Sequence, residues 1–406
     1  MIYHRVGVGL TVTLLSGVLW AADWPSPQNY ADAIGSPTDG RFRASAVAGL
    51  EEAYLPPIFA SSHAANLLRL KSGDVLCVWF SGSWEGNSDV AIVMSRLRAG
   101  AQQWSSPQVI DHHPGESYQN PVVFQAADGT LWIFHTTQPA GQGQANAKVL
   151  VTKSMDVGKT WSAPAVLFDQ PGSFVRQPLV VLPHGRWLLP MYVTPSRGIT
   201  KGAETNYSIV KISSDQGKHW RTCPIPNSNG YVQPDVLELQ ADHYVAFFRS
   251  RYADAIYKSQ SNDGCTWTAP QKTQLPNNNS SIQATKLHDG NLVIAFNNVR
   301  ATIAKGKPQA APRKPLSIAL SEDQGKTWRW VRDLETGISN ARQTAVGQAN
   351  RNVPGREEYS YPSVIQTADG KIVVAYTYRR FTIKVVRFDE SWIKQGTTTG
   401  VFSGTQ

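Results

Sequence analysis

The sequence predicts an all-β chain folded as a six-bladed β-propeller, and three observations carry that expectation. First, a short box recurs: Ser154-Met-Asp-Val-Gly-Lys-Thr-Trp161, Ser213-Ser-Asp-Gln-Gly-Lys-His-Trp220, Ser261-Asn-Asp-Gly-Cys-Thr-Trp267 and Ser321-Glu-Asp-Gln-Gly-Lys-Thr-Trp328, at steps of 59, 48 and 60 residues. A fixed period of this size marks an array of like supersecondary units. Second, turn-forming residues recur in step with the boxes, at Gly73-Asp74, Asp128-Gly129, His184-Gly185, Ala241-Asp242, Asp289-Gly290 and Asp369-Gly370. Each precedes a strand-length apolar run, such as Val75–Phe80 or Ile372–Tyr378. Third, amphipathic helical periodicity is almost absent; the best helical candidate, Ala64–Leu70, reads better as the strand entering the first turn.

The boxes have a structural logic. Ser and Asp side chains bind backbone amides, Gly supplies a positive φ, and the Trp packs beneath a tight hairpin. Two worn copies extend the count to six: one from Ser95 to Trp104, and one at Phe388-Asp-Glu-Ser-Trp392. Several short strands per unit and six units describe a propeller of six small sheets.

The organisation follows from the same marks. Arg5, the apolar run Val6–Trp20 and the small pair Ala21-Ala22 read as a signal peptide over residues 1–22, too short for a membrane span. Residues 23–49, rich in Pro, Ser, Ala and Gly, form an irregular lead-in; 50–395 form the propeller, and 396–406 a tail. The expected destination is the periplasm or the medium, and the expected state a monomer with no integral membrane segment. Of three cysteines, Cys77 reads as a buried core thiol, while Cys223 and Cys265 read equally as one disulfide or two free thiols.

Composition narrows the function. An apolar fraction of 41% excludes a disordered polymer, and a mean hydropathy of −0.30 excludes a polytopic membrane protein. The net charge of +9 favours anionic partners, but Lys and Arg are scattered without a run of five, which argues against nucleic acid. Thirteen tryptophans suit stacking on sugar rings as well as a core. Three cysteines and no zincin-type His/Glu spacing leave no metal site in view, and no cofactor is expected.

The boxes resemble the Asp-boxes, or BNR repeats, of the sialidase (neuraminidase) superfamily, and the stretch from about Ser61 to Asp389 resembles bacterial proteins described as predicted neuraminidases. The resemblance implies a sialidase-like propeller and a secreted, exo-acting glycoside hydrolase that removes a terminal acidic sugar. It also implies a tyrosine nucleophile helped by a glutamate, an aspartate acid/base, and three arginines on the substrate carboxylate. A phenol suits an anomeric carbon that bears a carboxylate, since a carboxylate nucleophile would be repelled; guanidinium forks suit the carboxylate itself.

Carried over residue by residue, the pattern selects Tyr361 in Tyr361-Pro-Ser-Val-Ile as nucleophile, with Tyr359 as fallback, and Asp89 as acid/base with Glu85 upstream. Arg313, before the strand that enters the fourth box, and Arg249, with Arg251 as competitor, supply two of the arginines. The third place, in Ser62-His63-Ala-Ala-Asn66, holds His63, and the place of the glutamate holds Gln233, which cannot take a proton; Asp235 lies two residues on. His63 becomes a candidate proton shuttle, and Arg176 a candidate third clamp from another blade. Trp84 offers a sugar platform beside Glu85. Two other functions remain open on these residues: a lyase acting on uronic-acid glycans through a His/Tyr pair, and a glycan-binding propeller without catalysis.

Overall fold

A computed structural model of the chain describes residues 30–195, 203–304, 307–308, 311–337 and 355–405. The expected signal peptide, residues 1–22, lies outside them. The described chain is all-β, with six antiparallel sheets of four or five strands arranged as the blades of a propeller. Blade 1 spans residues 61–111, blade 2 116–168, blade 3 173–224, blade 4 231–276 and blade 5 283–335. Blade 6 takes three strands from residues 359–388 and is completed by Glu51–Tyr54 and Arg43–Ala44 from the other end of the sequence. Part of the lead-in read as irregular is therefore sheet. Ala64–Leu70 belongs to a strand, as expected, within Ser61–Arg69.

Both turn series fall where the repeats require. The Asp-Gly-type turns join the first and second strands of each blade, and the boxes join the third and fourth. Because strands alternate in direction, both series lie at one end of the propeller, and the loops between second and third strands lie at the other. In the first box Ser154 Oγ donates to Asp156 at 2.7 Å and accepts from Gly158 N at 2.7 Å, while Thr160 N donates to Asp156 at 2.9 Å. The boxes at Ser213, Ser261 and Ser321 repeat this network. Trp267 and Trp328 are buried beneath their turns. The worn copy at Phe388–Trp392 differs: its strand ends at Phe388, and Glu390–Lys394 forms one helical turn that buries Trp392 and Ile393. No fourth strand follows it in sequence, so no hairpin is needed there.

Apolar faces of neighbouring sheets pack against each other around the ring, as where Leu67, Cys77 and Trp79 of blade 1 meet Val373 and Val385 of blade 6. Polar ties run between innermost strands. Asn66 accepts from Val123 N at 3.0 Å, Gln283 from Val364 N at 2.7 Å and Ser363 from Leu67 N at 2.9 Å, while Asp235 accepts from Ala284 N. Burial pushes the Asp235 carboxyl up to about 7 despite Arg176 nearby.

Cys77 is buried and free, and Cys223 and Cys265 form a disulfide between blade 3 and the box of blade 4. At a sequence separation of 42, loop-closure entropy puts the bond at about 4 kcal/mol. The Cys223→Ala variant is expected to unfold at a clearly lower urea midpoint than the parent, and an unchanged midpoint would contradict that contribution. Among the described residues no helix is long and apolar enough to cross a membrane.

Candidate active site

The innermost strands of blades 1, 2, 4 and 6 share one irregularity. Non-glycine residues at positive φ occur at Ala64 (61°), Asn120 (50°), Gln233 (56°) and Tyr361 (54°), each in a strand whose register with its neighbour slips at that point. Asn279 (60°) holds the corresponding place just before the first strand of blade 5. Such a bulge re-aims a side chain and kinks its strand. Left-handed backbone at a tyrosine costs on the order of 1–3 kcal/mol and persists only where the surroundings impose it.

Tyr361 is held from both sides. Its carbonyl and that of Pro362 accept from Arg176 Nη2 at 3.1 and 3.0 Å, and its phenol oxygen accepts from Arg249 Nη1 at 2.6 Å. Arg249 also donates to Asn279 at 2.9 Å and to Gln233 at 3.4 Å. The ring lies 4.2 Å from that of His63. Burial alone would raise the phenol, but Arg249, Arg313 and Arg251 outweigh burial and bring it down to about 8.

Around the phenol opens a pocket of about 660 Å³ at the end opposite the boxes. One wall is cationic, formed by Arg249, Arg251, Arg313, Arg356 and Arg380; the other carries neutral amides, Asn87, Gln119, Asn120, Gln138 and Gln144. Glu358, fully buried, gathers Arg313, Arg356 and Arg380, the last at 3.1 Å. Burial opposes its charge, but Arg313 and Arg380 hold its carboxyl well below the usual range. Arg380 also reaches Glu85 at 3.0 Å and lies over Trp84.

The structure brings Tyr361, Arg249, Arg313, Glu85 and Trp84 together in this pocket. Gln233 lies beneath it, bonded to Arg249. His63 is buried behind Tyr361, its Nδ1 2.7 Å from Thr377 Oγ1 and 3.8 Å from Glu358. Burial, then Arg380, hold its imidazole well below the ordinary value, so it is neutral.

Two residues are placed elsewhere. Asp89 turns back onto Ser83, accepting from its amide and hydroxyl at 2.9 Å each, and faces a neighbouring depression. Arg176 does not line the pocket. It crosses the propeller centre, with bonds to Ser281, Ala65, Tyr361 and Pro362 that leave its guanidinium on blades 1, 5 and 6. It reads as a structural tie because its donors go to the protein's own oxygens.

Arg356, Glu358, Arg380 and Tyr192 are not among the residues the sequence selected. Their signal was positional. Arg251 and Arg380 both follow the second strand of a blade, in the loop that rims the pocket. Among the described residues no group of three His, Cys, Asp or Glu could hold a metal ion.

The model of the BNR repeat-like domain matches residues 73–374. The chain belongs to the BNR repeat-like family. Solved structures similar to this BNR chain include a Hadza microbial sialidase, Hz136 (16% identity, TM-score 0.64, covering 82% of this chain and 66% of that one). The NanB sialidase of Streptococcus pneumoniae follows at 13% identity and TM-score 0.64, over 82% of this chain and 69% of that one. A protein of unknown function from Dyadobacter fermentans matches over 84% of this chain and all of its own (17% identity, TM-score 0.62). The BNR chain thus spans about two thirds of the length of these sialidases and shares their fold. A comparison with curated proteins gave no match.

Proposed function

We propose that the chain is a glycoside hydrolase of the sialidase type, removing a terminal acidic sugar with Tyr361 as nucleophile. The observation that carries this reading is the Tyr361 phenol, brought down to about 8 by the arginines around it and bonded to Arg249 at 2.6 Å at the base of the pocket. Gln233 stands where the resemblance puts a base; in its stead the arginines around the phenol favour the phenolate directly. The cationic wall receives the sugar carboxylate, and the amide wall receives hydroxyls.

In the first step the phenolate attacks the anomeric carbon, the bond to the leaving oxygen breaks, and a carboxylic acid supplies the proton. Glu85, which lines the pocket beside Arg380, is our candidate for that role. Water then cleaves the tyrosyl–sugar bond, with Glu85 taking its proton and the phenolate leaving. His63, neutral and packed on the ring, positions the phenol.

The test is release of fluorophore from an aryl α-sialoside by the purified chain. Turnover that vanishes in Tyr361→Phe supports the reading; an unsaturated, ultraviolet-absorbing product from a uronic-acid glycan would replace it with a lyase. The phenol also has its own readout. Its pKa lies below the ordinary 10, so the phenolate stabilises the fold fully above pH 10, and that contribution is lost as pH falls through about 8. Absorbance at 295 nm is expected to show one of the 14 tyrosines ionising near pH 8, a step missing in Tyr361→Phe. A step present in both proteins would assign it to another residue.

A further inference from the structure

We infer that the pocket contains a second anion subsite, built on Arg251 and Tyr192, and that its substrate is an acidic sugar bearing a tetrahedral oxyanion ester in addition to its carboxylate. This deepens the reading of the site as a glycosidase and rests on it.

The pocket arginines divide into two sets. Arg313, Arg356 and Arg380 meet on Glu358, and Arg380 has Glu85 as well. That set is matched by carboxylates. Arg249 and Arg251 form the other. Arg249 donates to Asn279, Gln233 and Tyr361, all neutral groups until the phenol ionises. Arg251, in the turn that follows the strand His243–Ser250, has no side-chain hydrogen bond or ion pair with any described residue. It is only 8% exposed, and its Nε is buried without a partner. The internal stretches 196–202, 305–306, 309–310 and 338–354 contain no aspartate or glutamate, and residues 1–29 contain one, Asp23.

A desolvated guanidinium without a partner, beside a second one, is costly. Burial, then Arg249, bring Arg251 down to about 10, a response to that neighbourhood that still leaves it charged at neutral pH. Both arginines open on the pocket, with Tyr192 between them and the amide wall. Burial pushes the Tyr192 phenol up to about 12, so it stays protonated and offers a donor. Guanidinium and phenol donors from two blades fit the three oxygens of a sulfate or phosphate ester. The carboxylate-matched set, meanwhile, is left to the sugar acid.

Inorganic sulfate and phosphate are the probes, titrated calorimetrically into the purified chain against chloride at matched ionic strength. Saturable binding is expected, weakened about tenfold or more in Arg251→Gln and partly restored in Arg251→Lys, which keeps the charge and loses the fork. The stronger of the two anions identifies the ester. Without anion, Arg251→Gln is expected to melt at or above the parent temperature, because it removes an uncompensated charge; that readout separates lost binding from misfolding. Absence of saturable binding of either anion, or equal binding by Arg251→Gln, overturns the subsite. Failure of the hydrolase reading appears elsewhere, as absence of turnover on aryl glycosides while anion binding persists.

Discussion

Tyr361→Phe is expected to lower turnover of an aryl α-sialoside by roughly 10³-fold or more, as removal of an attacking group does elsewhere, while leaving the fold intact. Phenylalanine keeps the ring that packs on His63 and the carbonyl held by Arg176. What it loses is one oxygen, the acceptor of the Arg249 bond. Thermal melting measured beside the kinetics should therefore change little, so that lost activity reports chemistry. A variant within tenfold of the parent would remove Tyr361 from the bond-making step and shift attention to Glu85.

Arg176→Met carries the largest expected effect on stability. The guanidinium meets four oxygens, Ser281 Oγ and the carbonyls of Ala65, Tyr361 and Pro362, in a site only 1% exposed. Burial lowers its pKa to about 10, yet it stays charged at neutral pH. Methionine fills similar volume and satisfies none of those acceptors, and each orphaned buried group costs on the order of 1–3 kcal/mol. A loss of about 3–5 kcal/mol is expected, read as a fall in urea midpoint without a matching change in slope. Lysine should rescue part of it, since three donors cannot reach four acceptors on three blades. A loss under about 1 kcal/mol would mean that water takes over these carbonyls without penalty.

Arg176 shows where sequence stops. The propeller was legible because turns and boxes are local: Ser, Asp, Gly and Trp enforce the hairpin within eight residues, wherever the blade stands. Tyr361, Arg249 and Arg313 were legible through a resemblance tied to those same landmarks. Arg176 follows the short innermost strand Ser173–Val175 of its blade, and nothing local distinguishes an arginine that faces the mouth from one that crosses the axis. The difference lies in Ala65, Ser281 and Tyr361, which are remote in sequence. Asp89 shows the same limit at shorter range: Ser83, six residues away, draws its carboxylate out of the pocket. Arg356 and Arg380 were invisible because their meaning depends on Glu358, buried among them.

The kink at Ala64, Asn120, Gln233, Asn279 and Tyr361 makes the inner ring a set of interchangeable sockets. Each holds its backbone in the same left-handed turn, and the side chain mounted there changes from a methyl group to an amide to a phenol. The blades are tied by side chains lying deeper on the same strands, at Asn66, Asp235, Gln283 and Ser363. The kinked positions carry ties as well, since the side chains of Asn279 and Tyr361 both accept from Arg249 of blade 4. A substitution at Asn279 or Tyr361 therefore changes the pocket lining and a bond across it together, while the deeper ties stay in place.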